Sequence, residues 1–349
     1  MKNRKVLSIC IPTFNRRERV KKLVIELLKN KRNDFEVVVL DNMSNDNTYN
    51  ELLKIKDSRL SLYANKKYIS AIENGNKVLE LGKSKYCMLF NDREIAQNQY
   101  LDKIIEFLKE DEYSFVYVYQ GEKNRIKIFE KKQEAREYIM EHVGFHPTGL
   151  IYNREFLKRI NLKEYIDYDR INFFPHFFIA YDIIAQGKMA IYESKFWRLA
   201  EEEFLRMRKS KYVDLSKPLY FTPENKIDRL YKFSNHIISD QMSSNSEKKL
   251  LLIKLFFAMC YNATYYYVYY EARNKNLCIH NGTEPKSLNF IDCLKIGKKF
   301  KKDYLSYLKD QKYDLKFQIE LESYKVIFKS VKARIKKVIK DFYIKFKGK

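Results

Sequence analysis

Short apolar runs alternate with segments of helical period through the first 110 residues, and this alternation restricts the fold more than anything else in the chain. Val6 to Ile11, Phe35 to Leu40, Leu60 to Tyr63 and Tyr86 to Phe90 read as strands. Phe35 to Leu40 is the kind of continuous β-rich run expected of a strand buried on both faces. Between the strands, Arg17 to Lys29 carries Val20, Leu23, Val24, Leu27 and Leu28 at helical spacing. Tyr49 to Lys56, Ile69 to Leu81 and Tyr100 to Leu108 read as further helices. The pattern predicts an α/β fold: a Rossmann-like, mostly parallel sheet flanked by helices. Such sheets bind ligands beyond the carboxyl ends of their strands. Polar clusters fall at those ends: Thr13-Phe14-Asn15, Asp41-Asn42 and Asn91-Asp92-Arg93-Glu94.

The middle of the chain is mixed. Phe115 to Tyr119, Ile126 to Phe129 and Met189 to Tyr192 are strand-like, Gln133 to His142 is helical, and Pro147-Thr148-Gly149 is a turn. Beyond Pro218 and Pro223 nearly everything reads as helix, which predicts one domain over 1–215 and a helical, basic region over 216–349. Composition adds a charge argument. Lys and Arg number 68 against 45 Asp and Glu, a formal net charge of +23, which calls for anionic partners. With 45% hydrophobic residues the chain is not disordered. Five cysteines without a C-x-x-C pair predict buried, reduced thiols and a reducing compartment. The charged start leads straight into a strand, so no signal peptide is visible. The most apolar window, Leu250 to Tyr270, holds Lys254, Asn262 and six tyrosines, and reads as a buried helix rather than a membrane span. A cytosolic protein is expected.

Several chemistries can be set aside. No G-x-G-x-x-G follows the first strand and no P-loop occurs, so the backbone cradles of dehydrogenases and P-loop NTPases are missing. The five histidines include no H-E-x-x-H zinc motif. What remains is carboxylates at strand ends. A single Asp there usually forms a turn or caps a helix. Three polar clusters on one sheet edge suggest more, and the D-x-E spacing of Asp92 and Glu94 could bring two oxygen ligands to one hard cation.

Ser8-Ile9-Cys10-Ile11-Pro12-Thr13-Phe14-Asn15-Arg16 resembles the opening signature of family 2 glycosyltransferases, the inverting GT-A fold. Asp41-Asn42-Met43-Ser44-Asn45-Asp46-Asn47-Thr48 is similar to that family's D-x-x-S-x-D-x-T signature. Asn65, Ile69 to Gly75 and Tyr86 to Glu94 follow in the usual order. The resemblance covers about 5 to 110 strongly and continues through His146 to Tyr152, similar to an acceptor-side segment. It implies that Thr13 and Asp41 hold the base of a nucleoside-diphosphate sugar, UDP-linked by expectation, while Asp46 supports the loop and Arg16 approaches the diphosphate. Pro12, Asn15, Asn74 and Asn91 join this donor-binding set. Asp92 and Glu94 would hold Mn²⁺ or Mg²⁺, the cation acting as a Lewis acid on the leaving group.

The metal motif departs from the family's aspartates. Either Asp92 and Glu94 form the pair, or Asn91 and Arg93 occupy the aspartate positions and Arg93 replaces part of the metal's charge. Inversion also requires a general base for the acceptor hydroxyl. The family places a carboxylate about eleven residues before a Gly, and counting back from Gly187 reaches His176. His176 is therefore the first candidate base, Asp169 the second, and Asp182 also stands nearby.

The last 26 residues, Tyr324 to Lys349, hold ten Lys/Arg against Asp341 alone. Ile327, Val331, Ile335, Val338, Phe342 and Phe346 form an apolar stripe within them. A basic amphipathic helix suits an anionic membrane surface, and the alternative is a terminal helix packed on its own domain. Nucleic acid is not expected, since no binding motif accompanies the charge. The resemblance as a whole implies inverting transfer to a saccharide or lipid-linked glycan, in bacterial surface polysaccharide synthesis at the inner face of the membrane. Homo-oligomers are compatible with it. The rival reading is a non-catalytic membrane-associated scaffold of the same fold.

Overall fold

The computed structural model describes residues 5–142, 146–165, 176–199 and 218–347, with the side chains of His280 and 337–347 left aside. The chain divides into two compact units. One is built from most of residues 1–202, the other from 203–349 together with 137–143 and 171–173.

In the first unit, strands β1 (Leu7–Thr13), β2 (Phe35–Asp41), β3 (Leu60–Ala64) and β4 (Tyr86–Leu89) alternate with helices α1 (Arg17–Leu28), α2 (Thr48–Leu53) and α3 (Ala71–Leu81). These four strands are parallel, in the order β3-β2-β1-β4. Register puts Thr13 opposite Asp41 and Asp41 opposite Ala64, so the carboxyl ends of β1, β2 and β3 are level. β1 and β2 are buried along nearly their whole length, which explains why they read as unbroken apolar runs. α1 buries Val20, Leu23, Val24, Leu27 and Leu28, the five residues whose spacing marked it as a helix. Ser70 caps α3 by accepting from the Glu73 amide at 3.1 Å.

The rest of the sheet is mixed. After β5 (Ile95–Ala96), α4 (Leu101–Glu110), β6 (Tyr113–Gln120), β7 (Ile126–Phe129) and α5 (Lys132–Glu141) comes β8 (Leu150–Asn153). β8 runs antiparallel between β4 and β6, completing the order β3-β2-β1-β4-β8-β6-β9-β7. The His146 to Tyr152 segment, expected to resemble an acceptor-side segment, thus ends in a central strand. α6 (Arg154–Leu157), α7 (His176–Ile184), β9 (Lys188–Ser194) and β10 (Trp197–Arg198) follow, and β10 pairs with β5 outside the main sheet.

The second unit is helical: α8 (Pro223–Ser239), α9 (Asn245–Tyr261), a π-helical stretch over Asn262–Glu271, α10 (Lys275–His280), α11 (Phe290–Asp310) and α12 (Lys316–Lys347). Thr222 caps α8, with Pro223 in its first turn, and capping boxes open α9 (Ser244/Glu247) and α11 (Asn289/Asp292). The apolar window expected to be one helix therefore changes winding at Asn262. Tyr265 and Tyr267 are buried there, while Tyr266 and Tyr270 are exposed and stacked on each other at 5.0 Å. Lys226 reaches both ends of the π stretch, donating to the Asn262 carbonyl at 3.0 Å and pairing with Glu271. Among the described residues no helix is long and apolar enough to cross a membrane. All five cysteines are free and buried.

Candidate active site

Two loops interlock at the carboxyl ends of β1 and β2. Asn15, Met43 and Asn47 take left-handed backbone conformations, which asparagine tolerates better than most residues. The Asn15 amide donates to Ser44 Oγ at 2.8 Å, and the Asn45 amide returns a bond to Asn15 Oδ1 at 2.9 Å. Asp41 accepts from the Ser44 hydroxyl, and from its amide at 3.3 Å. Burial pushes the Asp41 carboxyl up, against these bonds from Ser44, and the nearby Asp46 charge adds to the rise. Asp46 accepts the Arg17 amide at 3.0 Å and the Thr48 amide at 3.1 Å, the first amides of α1 and α2. Burial alone would raise Asp46, but its bonds from the Thr48 hydroxyl and these amides outweigh it and hold the carboxyl low. The D-x-x-S-x-D-x-T pattern is thus a pair of helix caps and a closed turn.

The third loop brings Asp92 against the first. Asp92 is buried, accepts from Thr13 Oγ1 at 2.7 Å, and takes Arg16 Nη1 on both oxygens at 2.8 and 3.1 Å. Arg93 beside it is lowered to about 10 by burial, then by repulsion from Arg16, with Asp92 opposing the fall. It still carries its charge at neutral pH. Thr13 and Arg16 at the end of β1 and Asp92 and Arg93 at the end of β4 therefore meet in one cationic cluster. Asn91 holds the loop from behind, its amide donating to Thr148 Oγ1 at 2.9 Å.

The fit of a divalent ion can be judged from these contacts. Asp92 is already occupied by a hydroxyl and a guanidinium, and Glu94 faces His146 instead, with Oε1 3.5 Å from Nε2. Among the described residues no three His, Cys, Asp or Glu side chains gather as a ligand group. Glu94 is thus turned to His146 rather than paired with Asp92, and a Mn²⁺ or Mg²⁺ here would rest on Asp92 together with a substrate's phosphates, beside the charge of Arg16 and Arg93.

His146 accepts the Thr148 amide at Nδ1, 3.2 Å away, which leaves the proton on Nε2 facing Glu94. Its ring stacks on Trp197 at 4.7 Å, and burial lowers it to about 4. Trp197 in turn donates to the Val118 carbonyl at 2.8 Å. Gly149 lies between them with φ +93°, and an added Cβ would sit 2.0 Å from that same carbonyl. Trp197 was not among the expected site residues, and its signal was only that it is the chain's single tryptophan. His176, the first residue of α7, is buried, and burial followed by the His146 charge lowers it to about 3. Asp182 is bonded to the Tyr165 hydroxyl, and Asp169 lies outside the described residues. Two other expected residues sit in the frame. Pro12 lies in β1 opposite Leu40, and Asn74 accepts from Asn65 at 2.9 Å in a chain from Asn42 to Lys77 that ties β2 to α3.

Residues 8–174 match the family described as Glycosyl transferase family 2. Two relatives are the uncharacterized glycosyltransferase MJ1057 of Methanocaldococcus jannaschii and the poly(ribitol-phosphate) β-N-acetylglucosaminyltransferase TarP of Staphylococcus aureus. The first is 26% identical over 183 residues, covering 47% of this chain and 62% of that protein; the second is 25% identical over 178 residues, covering 48% and 52%. The chain spans about half to three-fifths of the length of these relatives. Among solved structures, S. aureus TarS 1–349 in complex with UDP-GlcNAc superposes with a TM-score of 0.56 at 14% identity, covering 95% of this chain and 92% of that one. The UDP complex gives 0.54 at 12% identity, covering 86% and 91%. These likenesses show the fold.

Proposed function

Starting from residues 8–174 as a family 2 glycosyltransferase domain of GT-A fold, we propose that the protein transfers a hexose-type sugar from a UDP-sugar to a hydroxyl, with inversion. The carrying observation is the Thr13–Asp92–Arg16 cluster at the strand ends beside the Asp41 loop. TarS has been solved with UDP-GlcNAc and with UDP, and that donor chemistry is carried over as part of the proposal. Thr13 and Asp41 border the base, while Arg16 and Arg93 face the diphosphate.

The acceptor oxygen attacks the anomeric carbon from the face opposite the phosphate, the C–O bond to the diphosphate breaks, and UDP leaves with the electron pair. Preorganised guanidinium charge offsets the charge growing on that leaving group. In this reading Asp92 does not bridge a cation; it holds Arg16 and Thr13 in place. The hydroxyl proton needs a base working near neutrality. The low basicity of buried His176 argues for Asp169 ahead of it. Asp169→Ala should abolish turnover while His176→Ala keeps most of it, and the reverse result would restore His176.

The acceptor class we propose is a saccharide or lipid-linked glycan of bacterial surface polysaccharide, after TarP and a second relative, the E. coli glucosyltransferase WfgD, whose named acceptor is a diphosphoundecaprenol-linked sugar. A cytoplasmic enzyme held at the inner face of the membrane by α12 fits this acceptor. Phe317, Leu321, Tyr324, Phe328 and Ile335 form an exposed apolar row on that helix among lysines, while Ile319, Val326 and Ser330 face inward. Calorimetry with UDP, followed by hydrolysis of UDP-hexoses, tests the reading. Loss of UDP binding in Asp41→Ala is expected, and absence of any nucleotide binding would favour the non-catalytic scaffold.

A further inference from the structure

The helical unit contains a cavity of about 210 Å³ walled by the α9–π junction, α11 and α12. Its lining includes Cys260, Thr264, Cys293, Gly297, Val326 and Ser330. The hydroxyls facing it are already committed. Thr264 donates to the Cys260 carbonyl at 2.6 Å, Ser323 to Ile319 at 2.7 Å and Ser330 to Val326 at 2.7 Å, each one turn back along its own helix. Burial pushes both thiols up, Cys293 to about 11, so neither is ionised at neutral pH. The interior therefore offers a ligand methyl groups, sulfur and the Phe290 ring, and no unspent hydroxyl donor.

The rim has the opposite character. Lys298 is exposed and Lys301 half-buried, and neither is in an ion pair among the described residues. Leu294 and Ile327, also on the rim, are exposed apolar side chains. An apolar chamber with two uncompensated cations at its mouth matches an amphiphile with a hydrocarbon chain and an anionic head. The size sets how much of the chain enters. An apolar cavity of ~150 Å³ accepts benzene, so this one takes a chain segment.

We propose that this cavity is a lipid-chain site, receiving the hydrocarbon of a phosphate-headed amphiphile whose headgroup rests on Lys298 and Lys301. The site lies wholly in the helical unit and does not depend on the glycosyltransferase reading.

Isothermal titration of the full chain with monomeric dodecyl phosphate should give saturable one-to-one binding. Dodecyl trimethylammonium should bind at least ~10-fold more weakly, and inorganic phosphate should not saturate, because chain and head are both required. Gly297→Leu places a side chain in the cavity, and Ile327→Glu puts a carboxylate on its rim without disturbing the core. Each should weaken dodecyl phosphate at least ~10-fold, and the second keeps the test valid if the first does not fold. Lys298→Glu with Lys301→Glu should lower affinity for dodecyl phosphate and remove its preference over dodecyl trimethylammonium. Recruitment to phosphatidylcholine vesicles containing phosphatidic acid, lost in Ile327→Glu, would identify a bilayer lipid as the source. Binding of the free amphiphile without recruitment would identify a soluble one. No saturable binding, equal affinity for the two head groups, or wild-type affinity in a folded Gly297→Leu protein would overturn the proposal.

Discussion

Arg16 and Asp92 separate two ways of handling a diphosphate, and a double-mutant cycle can tell them apart. Arg16 donates to both oxygens of a carboxylate that is itself buried, while its own side chain keeps 25% of its exposure and can reach a ligand. A hydrogen bond between charged groups contributes roughly 1.5–3 kcal/mol, so Arg16→Ala should weaken UDP about 10- to 150-fold. If Asp92 acts by positioning Arg16, adding Asp92→Asn to the Arg16→Ala protein should change affinity less than about threefold. The coupling energy should then be on the order of 1–2 kcal/mol. Calorimetry supplies all four corners of the cycle, each measured with Mn²⁺ and with a chelator. Wild-type binding should stay within about threefold across that change, since the arginines are protein groups. The reasoning fails if Asp92→Asn costs tenfold or more without Arg16 and chelation abolishes wild-type binding. That outcome would return Asp92 to the role of cation ligand.

Asp41→Asn should stabilise the free protein at pH 7 while weakening UDP. Its raised folded pKa means that ionised Asp41 opposes folding, so the difference from wild type should vanish below about pH 4 and grow as pH rises. Thermal unfolding across pH measures it. Gly149→Ala combines a positive φ with a Cβ against the Val118 carbonyl, disturbing bonds from the Trp197 indole and between Val118 and Gly149. Those terms come to about 3–4 kcal/mol, readable by urea unfolding and by a red shift of Trp197 fluorescence; an unshifted spectrum would contradict the placement. Lys226→Met leaves Glu271 half-enclosed and unpaired at a cost of about 3 kcal/mol, and Glu271→Leu in the same chain should recover most of it. Failure of the second change to rescue would mean that the lysine acts mainly through the Asn262 carbonyl.

Much of the first unit was legible because its signals are local. Strands buried on both faces must be apolar throughout, and α1 must present five apolar residues to the sheet, so order and spacing predict both. The polar loops were legible for the same reason, sitting where such strands end. What stayed hidden depends on distant partners. Nothing near Leu150 says that β8 will enter antiparallel between β4 and β6. Trp197 comes to His146 only through the pairing of β10 with β5, two residues on each side. The bond between Arg16 and Asp92 was hidden because 76 positions separate them. The turn of winding at Asn262 left no trace because tyrosines surround that segment on every face. On α12 the expected stripe and the packed face differ. Ile327 and Ile335 are exposed, while smaller Ser330 and Val326 meet the body.

Asp46 ties together the opening of two loops at this sheet edge. One carboxylate terminates two helices, so the first turns of α1 and α2 cannot fray independently. Hydrogen exchange would see the amides of Arg17 and Thr48 as members of one opening unit, released together when the carboxylate lets go. Protonating or removing that single side chain would loosen both loops at once.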